Sequence, residues 1–274
     1  MRHLTDTHAH TVASTHAFST VDEYFKEAAA KGLQLFSITD HGPEMPDSPH
    51  PWHFGNMRVL PRVKYGVAML RGIEANILPS ARVLDVNATL MGFMDFGIAS
   101  FHEPVYPPSD RNTHTAAMIA AMESGLIQIL GHTGNPNFPI HIEEVVRAAR
   151  DNNVLIEINN SSFVSSRLGS EPHCVEILET VMRLDWKVVL SSDSHVHDTV
   201  GDVDVALSKI DALGFPEEQV VSMTPERLLA FLAEHGKPVA TVLAGWANSR
   251  RHTGSNPDIA PNTPKCFRPT DSSR

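Results

Sequence analysis

Residues 33–41 read Leu-Gln-Leu-Phe-Ser-Ile-Thr-Asp-His, a short apolar run that ends in an acid and a histidine. Five other apolar runs end in the same kinds of residue, at Asp6-Thr7-His8-Ala9-His10, Glu74, His102, His132 and Asp193-Ser194-His195. Each run has the length and hydrophobicity of a buried parallel strand. The recurrence predicts parallel strands whose polar ends gather at one face of a sheet.

Helix patterns alternate with these strands. Strands are predicted at residues 4–7, 33–39, 67–73, 96–101, 126–130, 154–158 and 186–190. Helices are predicted at residues 20–32, 113–124, 142–152 and 172–184, and a last one begins at Pro225 and ends before Gly236. The helix-start signals are Thr20 with Glu23, and Thr224 before Pro225. Seven βα units predict an α/β fold, a barrel closely related to the eight-stranded parallel type.

Composition restricts the class of protein. The chain has 274 residues, 42% of them hydrophobic and 20% charged, which fits one barrel domain over residues 1–245. Residues 246–274 lack hydrophobic periodicity and are predicted to form a disordered tail. The net charge of −10 argues against a nucleic-acid partner. Because no stretch is typical of a membrane span or a signal peptide, we expect a cytoplasmic protein with no membrane partner.

The strand-end residues favour a metal site. His8 and His10 lie two positions apart, so on extended backbone their side chains leave the same face and can bind one ion. Asp193 and His195 have the same spacing. Carboxylates bridge cations and neutral imidazoles fill the outer positions, so this set suits two or three zinc, manganese or iron ions. Metal-assisted hydrolysis is the function that such a site predicts.

Polar residues next to the motifs have structural interpretations as well. Asp6 and Asp40 precede ligands, and each either orients an imidazole or caps a turn. Arg58, Arg62 and Lys64 form a basic cluster that we expect to be a solvated face rather than a phosphate site. The other histidines are expected at the surface or in loops, with His53 as a candidate for substrate contact: His50, His53, His114, His141, His173, His197, His235 and His252.

Taken together, these segments resemble the motifs of the PHP (polymerase and histidinol phosphatase) superfamily. The motifs are residues 5–14 (TDTHAHTVAS), 38–42 (ITDHG), 72–76 (GIEAN), 101–104 (FHEP), 131–136 (GHTGNP) and 192–195 (SDSH). Residues 52–54 (WHF), 157–163 (EINNSSF) and 166–167 (SR) are similar to the YcdX-type bacterial metal-dependent phosphatases in particular. The resemblance spans residues 5–235.

The resemblance implies a distorted seven-stranded (β/α)7 TIM-like barrel, the PHP fold, with a trinuclear metal centre. The implied ligands are His8, His10, Glu74 and Asp193 for one ion, Glu74, His102 and His132 for a second, and His16, His41 and His195 for a third. Glu74 would bridge the first two ions. The centre would hold three divalent metal ions per chain, with zinc as the preferred metal and manganese or iron as alternatives. By analogy the protein is expected to be a homo-oligomer, a trimer.

The implied reaction is hydrolysis of small-molecule phosphomonoesters by metal-bound hydroxide, which Glu74 bridges and which lies near Asp193. The candidates for binding the phosphorylated substrate are Arg167, as a phosphate clamp, and Asn160, Ser162 and His53. Two other functions stay open. A PHP-type phosphodiesterase or exonuclease would use the same metals, and a non-catalytic metal-binding protein would have closed coordination.

Overall fold

A computed structural model describes residues 3–253, with side chains through residue 249. Its strands are β1 (Thr5–Asp6), β2 (Leu35–Ile38), β3 (Val63–Lys64), β4 (Val67–Asn76), β5 (Phe96–Ser100), β6 (Ile129–Leu130), β7 (Leu155–Asn159) and β8 (Val188–Ser191). β3 forms an antiparallel hairpin with β4, and the other strands run parallel in chain order from β1 to β8. All seven predicted strands are therefore present among the described residues.

The two edges of this parallel sheet meet at the ends of β1 and β8. Ala9 and Ser194 form a parallel bridge, where the His10 N–H donates to the Ser194 carbonyl at 2.8 Å. At the opposite end, Val188 bridges to Val220. These contacts make a nearly closed barrel and confirm the predicted (β/α)7 fold class.

Helices follow every parallel strand along the chain, and three of them come after β8. They are α1 (Val21–Ala30), α2 (Trp52–Asn56), α3 (Ala88–Met91), α4 (Arg111–Glu123), α5 (Ile142–Asp151), α6 (Ser161–Val164), α7 (Glu171–Arg183), α8 (Asp204–Leu213), α9 (Pro225–Glu234) and α10 (Val239–Thr253). Both predicted start signals are confirmed. The Thr20 side chain accepts from the Glu23 N–H in a capping box, and the Thr224 side chain accepts from the Arg227 N–H.

The helical layer is uneven, and this distorts the barrel. The α-helices in the connections from β2 to β4 and from β4 to β5 are short: α2 has 5 residues and α3 has 4 residues. The later strands are covered by α4, α5 and α7, with 13, 10 and 13 residues. Long loops therefore replace helical turns beside β2 and β4, and they border the site described below.

Two helices close the amino-terminal end of the barrel. The apolar residues of the barrel interior cluster with side chains of α9 and α10: Leu35, Leu70, Phe96, Ile98, Ile129, Leu155, Val189, Leu228, Leu232, Val239, Leu243 and Ala247. The prediction of a tail from residue 246 is therefore too early, because α10 continues through Thr253 and buries Ala247 in this cluster. The rest of the predicted tail, residues 254–274, lies outside the described residues.

His114 corrects a second expectation. The sequence predicts a position at the surface or in a loop, but the side chain is fully buried in α4. Its Nδ1 donates to the Pro139 carbonyl at 3.1 Å, and its Nε2 accepts from the Ser109 N–H at 2.8 Å. Because both ring nitrogens are satisfied, the imidazole is tolerated in the core.

No helix in the described part of the chain combines the length and the hydrophobicity of a membrane span.

Candidate metal centre

The nine predicted ligands converge at the carboxyl ends of the barrel strands. His8 and His10 follow β1, His41 follows β2, Glu74 lies in β4, His102 follows β5, His132 follows β6, Asp193 and His195 follow β8, and His16 lies in the loop before α1. Chemistry in parallel barrels gathers at this face because active sites there are built from the strand ends and the βα loops that follow them. The structure thus brings together every residue that the sequence put forward as a ligand.

The first set has the dimensions of a tetrahedral site. Nε2 of His8 lies 3.0 Å from Nε2 of His10, 3.4 Å from Glu74 Oε2 and 3.6 Å from Asp193 Oδ1. Nε2 of His10 lies 3.4 Å from each of the same two carboxylate oxygens. Zinc bonds of about 2.0–2.1 Å imply ligand atoms about 3.3 Å apart in a tetrahedron. These five distances, from 3.0 to 3.6 Å, lie around the expected edge length.

Glu74 joins the first set to the second. While its Oε2 faces His8 and His10, its Oε1 lies 3.3 Å from His102 Nε2 and 3.1 Å from His132 Nε2. One carboxylate thus presents a separate oxygen to each set, as a bridging ligand does. An ion held by Glu74, His102 and His132 would have three protein donors, the number that is typical of catalytic rather than structural zinc sites.

The third set consists of imidazoles at the edge of the barrel. His16 Nε2 lies 2.9 Å from His195 Nε2 and 3.4 Å from His41 Nε2. His41 also connects this set to the bridge, because its Nδ1 lies 2.9 Å from Glu74 Oε2. The sets overlap further, since the ligand atoms of His10, His41 and His195 lie within 4.8 Å of one another. The nine residues form one compact cluster.

Four ligand imidazoles have an acceptor at the nitrogen that faces away from the cluster. Nδ1 of His8 donates to Glu157 Oε1 at 2.6 Å, and Nδ1 of His102 donates to Asn76 Oδ1 at 2.7 Å. His195 donates to the Asp193 carbonyl at 3.0 Å, and His16 donates to the Asp47 carboxylate. A proton on Nδ1 leaves the Nε2 lone pair directed at the cluster. The donor set therefore fits metal ions in both element type and orientation.

The carboxylates of the cluster are held as anions. Burial opposes ionisation of Glu74, but when the cluster holds protons in place of cations, the positive charges of His8 and His102, with hydrogen bonds from His102 and His132, outweigh burial and hold its pKa well below the usual value. The pKa of Asp193 is likewise held well below its usual value, where His8 and Arg167 overcome burial. Metal ligation requires deprotonated carboxylates, so both side chains are in the form that binds cations.

Three site residues have a left-handed backbone. They are His132, with φ of 27°, Arg167, with φ of 51°, and Asp193, with φ of 55°. Such conformations are strained for residues other than glycine and persist where surrounding contacts enforce them. Here Arg167 Nη2 donates to Asp193 Oδ2 at 2.6 Å, and Asn159 Nδ2 donates to the same oxygen at 3.1 Å. Of the seven non-glycine residues with left-handed backbone among the described residues, three therefore lie at this site, where surrounding contacts orient candidate ligands.

The predicted substrate residues take different places. Arg167 lies at the cluster, and Ser162 Oγ accepts from Arg167 Nε at 2.9 Å, so Ser162 orients the guanidinium. His53 is bonded through Nε2 to Asp40 Oδ2 at 2.9 Å. The side-chain oxygen of Asn160 accepts instead from the Ala206 N–H at 3.0 Å, in the first turn of α8. The expectation that Asn160 orients substrate is therefore wrong for its side-chain oxygen, because this oxygen caps α8.

Asp6 and Asp40 organise loops rather than imidazoles of the cluster. Asp6 accepts from the backbone N–H groups of Ser192, at 3.1 Å, and Gly201, at 2.7 Å. Asp40 accepts from Thr11, Ser14 and His53, which fixes the loop after β1. Both residues therefore organise loops, and Asp40 in addition orients the imidazole of His53, which is not one of the nine candidate ligands.

The basic cluster is largely neutralised and His197 lies outside the site. Arg62 forms a bidentate ion pair with Asp95, and Lys64 pairs with Asp22. This arrangement agrees with the expectation of an ordinary protein surface rather than a phosphate site. The ring of His197 contacts Ser19 Oγ at 2.9 Å and its side chain is 32% exposed.

Glu157 is the main residue that the sequence did not single out as functional. It is fully buried, and it contacts His8 and the backbone of His132. The available signal was its position as the one charged residue in an otherwise apolar run, residues 154–158. An isolated carboxylate in a buried strand is unfavourable without partners, so it indicates a polar network. Asn76 and Asp47, the partners of His102 and His16, carry no comparable signal.

A parallel barrel with histidines and carboxylates at its strand ends is typical of metal-dependent hydrolases. The PHP domain family matches residues 6–161, more than half of the chain. The chain therefore belongs to the PHP domain family, and the resemblance seen in the sequence motifs is confirmed.

Similar proteins carry phosphatase names. The chain is 52% identical over 236 residues to the "Probable phosphatase" of Shewanella sediminis, covering 86% of this chain and 96% of that protein. It is 50% identical over 233 residues to a "Probable phosphatase" of Enterobacter sp. (strain 638), covering 85% and 95%. The crystal structure of histidinol phosphate phosphatase from Lactococcus lactis, complexed with zinc, L-histidinol and phosphate, matches with a TM-score of 0.60 at 19% identity and covers 79% of this chain and 95% of that chain. At this identity the likeness supports the fold alone.

Proposed function

We propose that this protein is a metal-dependent phosphatase that hydrolyses small phosphomonoesters at a centre of three divalent ions. The observation that carries the proposal is the convergence of nine ligand side chains, with Glu74 presenting one oxygen to each of two sets. The phosphatase names of relatives at 50–52% identity support the reaction class. The zinc, L-histidinol and phosphate named for the Lactococcus lactis structure are consistent with both the metal and the size of substrate.

The donor set favours zinc, with manganese or iron as alternatives. Seven imidazole donors and two carboxylates suit these borderline ions better than magnesium or calcium, which prefer oxygen ligands. His8, His10, Glu74 and Asp193 would hold one ion, Glu74, His102 and His132 a second, and His16, His41 and His195 a third. When bound, such ions lower the pKa of coordinated water toward neutrality and accept phosphoryl oxygens.

Arg167 supplies the positive charge that the chain itself directs at substrate. Its Nη2 is bound by Asp193 and Asn159 and its Nε by Ser162, so within the described residues Nη1 is the guanidinium nitrogen with no hydrogen-bond partner. The side chain is 16% exposed. A guanidinium held in this way is preorganised to donate to a phosphoryl oxygen as negative charge develops there.

His53 is retained as a substrate contact in this proposal. Asp40 fixes its Nε2, which leaves Nδ1 for an external group, and the side chain is 29% exposed. Ser162 acts through Arg167 and is not proposed to touch substrate.

The test combines metal analysis with a substrate screen. Protein expressed in zinc-replete medium is expected to contain two to three ions per chain and to hydrolyse p-nitrophenyl phosphate and histidinol phosphate. Chelation should abolish turnover, and zinc or manganese should restore it. Bis-p-nitrophenyl phosphate, a diester with the same leaving group, is the matched control. Full activity in metal-free protein, less than one ion per chain, or faster cleavage of the diester would contradict the proposal.

A further inference from the structure

Glu157 lies beneath the metal cluster, where the ends of four strands meet. The side chain is fully buried in β7. Oε1 accepts from His8 Nδ1 at 2.6 Å and from Ser191 Oγ at 2.6 Å. Oε2 accepts from the His132 N–H at 2.7 Å and from Asn159 Nδ2 at 3.2 Å. One carboxylate therefore contacts residues of β7 and β8 and residues that follow β1 and β6.

The two ligand contacts of Glu157 serve different ion sets. His8 belongs to the first set and His132 to the second, and the contact to His132 is made with the strained backbone that aims its side chain. The other positioning contacts each serve one ligand. Asn76 accepts from His102 in the second set, and Asp47 accepts from His16 in the third.

We propose that Glu157 is a positioning residue shared by two ion sites, whereas Asp47 positions one ligand of the third site alone. The inference rests on the ion sets of the proposed function. Through His8 it fixes the proton on Nδ1 and leaves Nε2 for the first ion. Through the His132 N–H it holds the left-handed backbone that turns His132 toward Glu74. Its negative charge adds to the electrostatic attraction for both cations.

The acceptor chemistry explains why an amide cannot replace this carboxylate. Each oxygen of Glu157 receives two donors, and a carboxylate is acceptor-only when ionised. In Glu157→Gln one of the two positions becomes an NH₂ donor. If it faces His132, two N–H groups oppose each other. If it faces His8, the imidazole must accept at Nδ1 and carry its proton on Nε2, which blocks that ligand.

Zinc-binding titrations of four proteins test the inference. Stepwise affinities are measured by competition with a chromophoric chelator for the unmodified protein, Glu157→Gln, Asp47→Ala and Glu179→Gln, an exposed carboxylate on α7 as the matched control. Glu157→Gln is expected to weaken two of three binding steps by about 10- to 100-fold, the usual effect of removing an outer-shell partner. Asp47→Ala should weaken one step and Glu179→Gln none. Weakening of one step or none by Glu157→Gln, or of two by Asp47→Ala, overturns the proposal.

A second measurement needs no variant and so remains decisive if Glu157→Gln does not fold. In the zinc-loaded unmodified protein, ¹H–¹⁵N spectra of the imidazoles should show a slowly exchanging proton on Nδ1 of His8. A proton on Nε2, or none on Nδ1, contradicts the role of Glu157. Because these readouts are independent of turnover, a protein without phosphatase activity that still shows the two-step weakening refutes the proposed function and supports this inference.

Discussion

The two ends of the barrel bury opposite kinds of side chain. At the amino-terminal end, α9 and α10 close the barrel with side chains such as Leu228, Leu232 and Leu243. At the carboxyl end, buried histidines and carboxylates take the place of an apolar closure, and three residues there have left-handed backbone. The same strands thus run from a region in which burial of apolar area stabilises the fold to one in which polar groups are buried at a cost.

The difference shows how this fold separates stability from chemistry. Buried charges cost free energy unless they are paired, and in the metal cluster the pairing is between carboxylates, imidazoles and the proposed cations. Apolar contacts at the other end offset that cost. A change at the carboxyl end is therefore expected to alter mainly ion binding and turnover. A change at the amino-terminal end is expected to alter mainly the free energy of unfolding.

The largest effect is expected from Glu74→Gln at the site end. An amide carries no negative charge to join two ion sets, so kcat/KM should fall by about 1,000-fold, equivalent to about 4 kcal/mol of transition-state stabilisation. Bound metal should decrease as well. His197→Asn, which changes a neighbouring histidine outside the cluster, is the control and should retain both. Near-normal metal and rate in the Gln variant would break the assignment of Glu74 as the bridge.

The closed end gives the complementary test. Leu232 is 1% exposed, and Leu232→Ala should lower the free energy of unfolding by about 3 kcal/mol because it leaves a cavity in the apolar cluster. Metal content and kcat/KM should stay close to normal. Val242→Ala, at a position 60% exposed on α10, should change unfolding little. Urea denaturation of the metal-loaded proteins measures both values, and a large loss of bound metal in the Leu232 variant would show that the two ends are not separable.

The smallest effect is expected from Asn160→Ala. This residue follows β7 at the site end of the barrel, but its side-chain oxygen stabilises α8. Since the Asn160 oxygen caps α8 through the Ala206 N–H, its loss should cost about 1 kcal/mol of stability and leave kcat/KM unchanged. A thermal unfolding scan beside a phosphatase assay distinguishes this from the role first expected from the sequence. A selective rise in KM at unchanged stability would restore Asn160 to the substrate site.

The sequence was sufficient where the determining signal is local. Alternation of apolar runs with capped helices predicts seven βα units, because strand and helix periodicities are set within short windows. The candidate ligands are predicted from the same pattern, because polar residues at the carboxyl ends of buried parallel strands all lie at one face of the barrel. The predicted boundary at residue 246 is wrong because α10 is stabilised by packing against the barrel interior, and a short window of sequence does not show this packing.

Short stretches of sequence were enough to predict the barrel, the candidate ligands and the face on which they gather. Which groups orient these side chains follows only from contacts between distant parts of the chain: Glu157 reaches His8 across 149 positions, and Arg167 is bound to Asp193 across 26. It likewise decided that Asn160 caps α8 and that His114 is buried. Such contacts depend on the distance between folded elements, to which no short stretch of residues is sensitive. Strand periodicity is a property of neighbours in the chain, whereas the orientation of an imidazole is a property of neighbours in space.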